Sequence, residues 1–125
     1  MQGPRRDECG AAAVEFALVL PLLLLLLCGV IDFGRAYNAR ITLSHAAREA
    51  ARVWALGGTA AETTARAQAT ATGLTGVTAS TTACTFGQPT TVTVTASFGF
   101  ATPLIADLAP GLTSLSSEGV MRCGG

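Results

Sequence analysis

At 125 residues the chain has room for one small domain beside a membrane element. Its eight arginines are balanced by eight acids and there is no lysine, so no basic face points to nucleic acid. Half of the residues are hydrophobic, but the excess is local: leucine crowds into residues 18–27, whereas Thr, Ala, Ser and Gly dominate beyond residue 56.

Residues 1–10 form a short polar leader that carries Arg5, Arg6, Asp7 and Glu8. Ala11 to Ile31 then supply twenty-one residues whose only charge is Glu15. A bilayer-spanning helix needs about 20 such residues and a signal-peptide core only about 7–15, so a retained membrane span over 11–31 is expected. No small-residue cleavage site follows the run, and Asp32-Phe33-Gly34-Arg35 continues it in helical register. Arg5 and Arg6 favour a cytoplasmic amino terminus, with Arg35 and Arg40 reducing that bias. Pro21 is expected to kink or loosen the membrane half.

The helical pattern runs on over residues 32–56 through Phe33, Ala36, Tyr37, Ile41, Ala47, Ala51 and Trp54, to a stop at Gly57-Gly58. One helix over about residues 11–56 would be near 69 Å long, half in lipid and half above it. Ala46, Ala47, Ala50 and Ala51 read equally well as a close-packing stripe or as high helix propensity.

Residues 57–125 should form a small region outside the membrane. Thr59 is a candidate N-cap of a second short helix, with Glu62 as its capping-box partner. In "TTVTVTASFGF", Val92, Val94, Ala96, Phe98 and Phe100 alternate with Thr91, Thr93, Thr95, Ser97 and Gly99, the period of a half-buried strand. Weaker strands fall at 77–86 and 115–123, with a turn at 87–89, and "ATPLIADLAPGL" reads as a long connection. The expected fold is α+β: a long membrane-spanning amino-terminal helix packed, above the membrane, against an antiparallel sheet of about three strands.

Of the four cysteines, Cys9 falls on the cytoplasmic side and Cys28 in lipid, and none has zinc-ligand spacing. Cys84 and Cys123 lie in the outer region near strand ends, either as two thiols or, in an oxidising compartment, as a disulfide contributing roughly 3–4 kcal/mol. Cys9 precedes the apolar run, whereas a lipobox cysteine follows one. The single histidine, His45, sits among alanines with no relay partner, and phosphate-loop and nucleophile motifs are absent from the sequence. These features imply no enzyme, no cofactor or metal and no small-molecule substrate.

Glu15 stands where a lone chain would place it at the edge of the span, reaching headgroup water. Its surroundings suggest more: a polar leader, Gly10, the spacer Ala11-Ala12-Ala13-Val14, Glu15, then the apolar helix. This order resembles the processing site of type IV prepilins, and "AAVEFALVLP", "DFGR" and "AAREAAR" resemble the TadE family of the tight-adherence pilus system. The resemblance implies a minor pilin or pseudopilin, cut by a prepilin peptidase between Gly10 and Ala11 and acting in pilus assembly and surface adherence. It implies that Glu15 of one subunit faces the Ala11 amine of the next, and that the partners are the membrane, other pilin subunits and the assembly machinery. It also implies a single-pass protein of the cytoplasmic membrane with its amino terminus inside and its sheet domain outside, or in the extracellular pilus once assembled. The alternative is a permanently anchored single-span scaffold of an envelope or secretion complex, which needs neither cleavage nor a functional Glu15.

Overall fold

The computed structural model describes residues 5–124. Residues 1–4 of the expected leader lie outside the described residues, as do the side chains of Arg5 and Arg6 on which the charge argument rests. The chain forms helix α1 (Arg5–Ala55), helix α2 (Ala60–Thr70), strands β1 (Thr75–Thr81) and β2 (Pro89–Ser97), a short helix α3 (Pro103–Leu108), a 3-10 turn (Pro110–Thr113) and strand β3 (Ser114–Arg122). The expected α+β architecture is therefore present: one long apolar helix and a three-stranded antiparallel sheet in the order β1-β2-β3.

Helix α1 has 51 residues, about 77 Å at 1.5 Å per residue, and starts earlier than expected, already including Arg5 to Gly10. It continues through Pro21, which a membrane helix tolerates where neighbouring groups re-satisfy the freed carbonyl. At its upper end the Gly58 amide bonds the Val53 carbonyl at 3.0 Å and the Gly57 amide bonds Trp54 at 3.1 Å, with Gly57 at φ +90°. That bonding pattern is a Schellman cap, whose left-handed residue glycine adopts without a Cβ penalty. Two residues on, Thr59 caps α2: its hydroxyl accepts from the Glu62 amide, and the Glu62 carboxylate accepts from the Thr59 amide at 2.7 Å. The capping box read from the sequence is thus formed.

The sheet has nine continuous pairs between β2 and β3, from Pro89 opposite Arg122 to Ser97 opposite Ser114. Thr90, Val92, Val94, Ala96 and Phe98 face inward and are buried, while the intervening threonines face outward. The inward face closes on one stripe of α1: Ala39, Leu43, Ala46, Ala47, Ala50 and Ala51. Helix α2 completes the core with Ala67, beside the following Ala71. The alanine stripe is therefore a packing surface: all four residues from Ala46 to Ala51 named above are fully buried. Small side chains bring the strand backbone close, and β3 answers with Gly119, where a Cβ would overlap the Ala47 carbonyl.

Two ties fix the sheet along the helix. At the top, the Gly124 amide bonds the Ala55 carbonyl at 2.8 Å, the Trp54 indole donates to Thr82 at 2.9 Å, and Cys84 is joined to Cys123 with a Cα separation of 5.7 Å. Strand β2 then descends toward Asp32. The long connection after it contains α3 and the 3-10 turn. Pro103 opens α3 with a pre-set φ and Pro110 prevents its continuation, so six residues form too little helix for periodicity to reveal.

Candidate processing and assembly site on the membrane helix

Among the described residues, α1 is the one helix long and apolar enough to cross a membrane, and none of its most apolar stretch is buried within the chain. Val14, Phe16, Leu18 and the leucines through Leu27 are each at least 39% exposed, so this surface needs lipid or other helices to cover it. The structure fits a single-pass membrane protein.

Gly10, Ala11 and Glu15 lie on the lower part of that helix, all exposed. Gly10 has open space around its Cα, with nothing within 4 Å of where a Cβ would stand. Glycine lowers helix stability by about 1 kcal/mol relative to alanine, so Gly10 weakens the helix beside the Gly10–Ala11 bond. Ala11 and Glu15 are four residues apart, which puts them on one face with an axial separation of about 6 Å. Among the described residues Glu15 makes no ion pair. The helix thus brings the three expected residues onto one exposed segment, but supplies no partner for the carboxylate.

A second acid on α1 has a role that the sequence reading passed over. Asp32, directly after the apolar run, is 1% exposed. Its carboxylate accepts from the Ala101 amide at 2.9 Å and the Thr102 amide at 3.0 Å, and Arg35 approaches at 3.4 Å. The Arg35 guanidinium also lies 5.4 Å from the Phe98 ring centroid, and Phe98 meets Phe100 edge-on at 5.2 Å. Asp32 is therefore a latch that holds the lower end of the sheet region to the helix. Its signal was faint: an acid where the span ends also reads as an ordinary boundary residue.

The Ala101 amide, with the Thr102 amide and Arg35 adding to it, outweighs burial and holds the Asp32 carboxyl below its ordinary value of 3.8. The unfolded chain then takes up this proton before the folded one does. The latch stabilises fully above that ordinary value and is lost as pH falls below it. The loop after β2 should therefore be released only as the pH falls through the folded-state value, below 3.8. The Asp32→Ala chain should show the same release at neutral pH, with Ala101 and Thr102 amides exchanging roughly tenfold or more faster by NMR in micelles. Unchanged exchange at those two amides would remove Asp32 from this role.

His45 is exposed, and among the described residues no group of three or more His, Cys, Asp or Glu side chains could hold a metal. Among the described residues, one open surface depression is apolar and lies on the span, lined by Leu22, Leu25, Leu26, Gly29, Val30 and Phe33, and a smaller one lies near Arg35 and Thr72. The first is lined only by apolar side chains and Gly29, the kind of surface on which membrane helices pack closely.

The architecture defined by these features is a membrane helix that emerges to carry a sheet on its small-residue face. Residues 10–52 match the family model of the TadE-like proteins. The resemblance read from the sequence is thereby shown over residues 10–52 of the helix. The matched stretch starts at Gly10, contains Glu15, Asp32 and the alanine stripe, and ends before the sheet. No curated protein and no solved structure matches the chain.

Proposed function

We propose that this chain is a TadE-like minor pilin or pseudopilin, processed by a prepilin peptidase after Gly10 and incorporated through its amino-terminal helix into the tight-adherence pilus or its base. The observation that carries the reading is the uncovered apolar surface of α1, with Gly10, Ala11 and Glu15 at its lower end, inside the TadE-like match. Cleavage at that bond would free an amine on the face that carries Glu15. Phe16 to Ile31 would supply most of the attraction between subunits, since bundling covers their side chains and closes grooves such as the one at Gly29. A carboxylate in lipid costs about 2.5–3.5 kcal/mol on insertion scales, so a neighbouring ammonium offsets that cost only when subunits are in register. The role is structural, and the disulfide-tied sheet is the part presented outside the membrane, for adherence through the pilus.

The reading is tested by shearing surface filaments from cells that assemble the pilus and probing both the sheared material and the membranes for this chain. Its presence in the filaments is expected. A chain found wholly in membranes, whether or not pili are made, would favour the fixed single-span scaffold.

A further inference from the structure

The segment between β2 and β3 is more apolar than a water-facing loop requires. From Gly99 to Thr113 its one charged residue is Asp107. Leu104, Leu108 and Leu112 are 52, 75 and 55% exposed, so the fold leaves them uncovered. Both ends of the segment are nevertheless fixed. The Phe98 amide bonds the Thr113 carbonyl at 2.7 Å, and Ala101 and Thr102 are held by the Asp32 carboxylate.

Those bonds place the segment along the helix axis. Asp32 directly follows Ile31, the last residue of the apolar run, so its carboxylate marks the end of the span. The Gly124–Ala55 bond lies at the opposite end of the sheet, which therefore hangs down α1 with the β2–β3 connection lowest. Tyr37, 62% exposed on α1 and about 8 Å along the axis from Asp32, is a side chain expected at a membrane–water boundary. Three uncovered leucines on a pinned, nearly uncharged segment thus sit where the bilayer surface must lie.

We infer that the α3 segment is a lipid-contacting foot: Leu104, Leu108 and Leu112 enter the interfacial region of the leaflet from which α1 emerges. A short helix lying in that region buries its apolar side among headgroups and upper acyl chains while its ends stay in contact with the protein. The foot gives the domain a second membrane contact beside the span and fixes which way the sheet faces relative to the bilayer plane. It rests on the membrane-span reading of residues 11–31, and is independent of whether Gly10 is cleaved.

The test uses the full chain in phosphatidylcholine vesicles with bromine carried high on the lipid acyl chains, which quenches nearby tryptophan. The wild-type chain gives the baseline, since its one tryptophan, Trp54, is at the top of the domain. Leu108→Trp and Leu112→Trp should each add blue-shifted emission that is lost in brominated vesicles, while the Trp54 signal persists. Val19→Trp, near the middle of the span, reports the span itself in parallel vesicles whose bromine sits deep on the acyl chains. If Val19→Trp is quenched and both loop variants are not, the foot is wrong and the span stands. If Val19→Trp is also unquenched, the span reading fails and takes the foot with it. Emission from the loop variants that is blue-shifted but unquenched, and reverts on diluting protein into excess lipid, would assign the leucines to a neighbouring copy and overturn the proposal.

Discussion

Replacing Gly119 by alanine is expected to loosen the sheet from the helix, although it adds only one methyl group. In β3 this residue lies against the α1 backbone, and a Cβ would stand 2.6 Å from the Ala47 carbonyl carbon and 3.0 Å from the Arg48 nitrogen, overlapping the Ala47 oxygen as well. Those are backbone atoms inside a long helix, so no rotamer change relieves the overlap. Either β3 moves outward, opening the contact of Leu115 and Val94 with the alanine stripe, or the helix bends. Overpacking of this kind costs about 1–3 kcal/mol, and the position belongs at the upper end of that range. Gly119→Leu should undock the strand altogether. Gly99→Ala provides the control, because nothing lies within 4 Å of its added methyl group. A change within about 0.5 kcal/mol is expected there. Denaturant unfolding of the full chain in detergent measures all three. A Gly119→Ala chain as stable as wild type would mean that β3 does not pack this closely.

The second large effect is expected at Glu15. Glu15→Ala should be processed as efficiently as wild type, because the helix at Gly10 is unchanged, yet enter filaments about tenfold less or worse. Glu15→Gln should behave like the alanine variant, since the amide keeps size and polarity while removing the charge that an ammonium would match. Quantifying the chain in sheared filaments against the chain in membranes reads the effect directly. Normal incorporation of either variant would make Glu15 a boundary residue that reaches headgroup water.

How far the sequence revealed these features follows from the range of the interactions. The capping box at Thr59 and Glu62 and the glycine stop after Ala55 are settled within a few residues, and both were legible. So was β2, because its alternation reports a buried face whatever covers it. The alanine stripe was ambiguous, since alanine suits both an exposed helix and a tight seam. Gly119, on the opposing strand, carries the signal that separates the two, and only the register that sets it beside Ala47 exposes that signal. Asp32 was missed for the same reason, as its partners are 69 and 70 residues away in the chain. Helix α3 escaped notice because six residues between prolines show no period. Glu15 is the reverse case: its setting in the sequence is distinctive, but the partner proposed for it belongs to another subunit, so one chain shows only an exposed carboxylate.

The proposed pilin role requires this helix to mature by cleavage. The most direct measurement is the intact mass and amino-terminal sequence of the chain produced with and without a prepilin peptidase. A mature terminus at Ala11 that appears only with the active peptidase, and is abolished in Gly10→Leu, is the expected result. A chain that keeps residues 1–10 beside an active peptidase would contradict it and leave α1 as a permanent anchor.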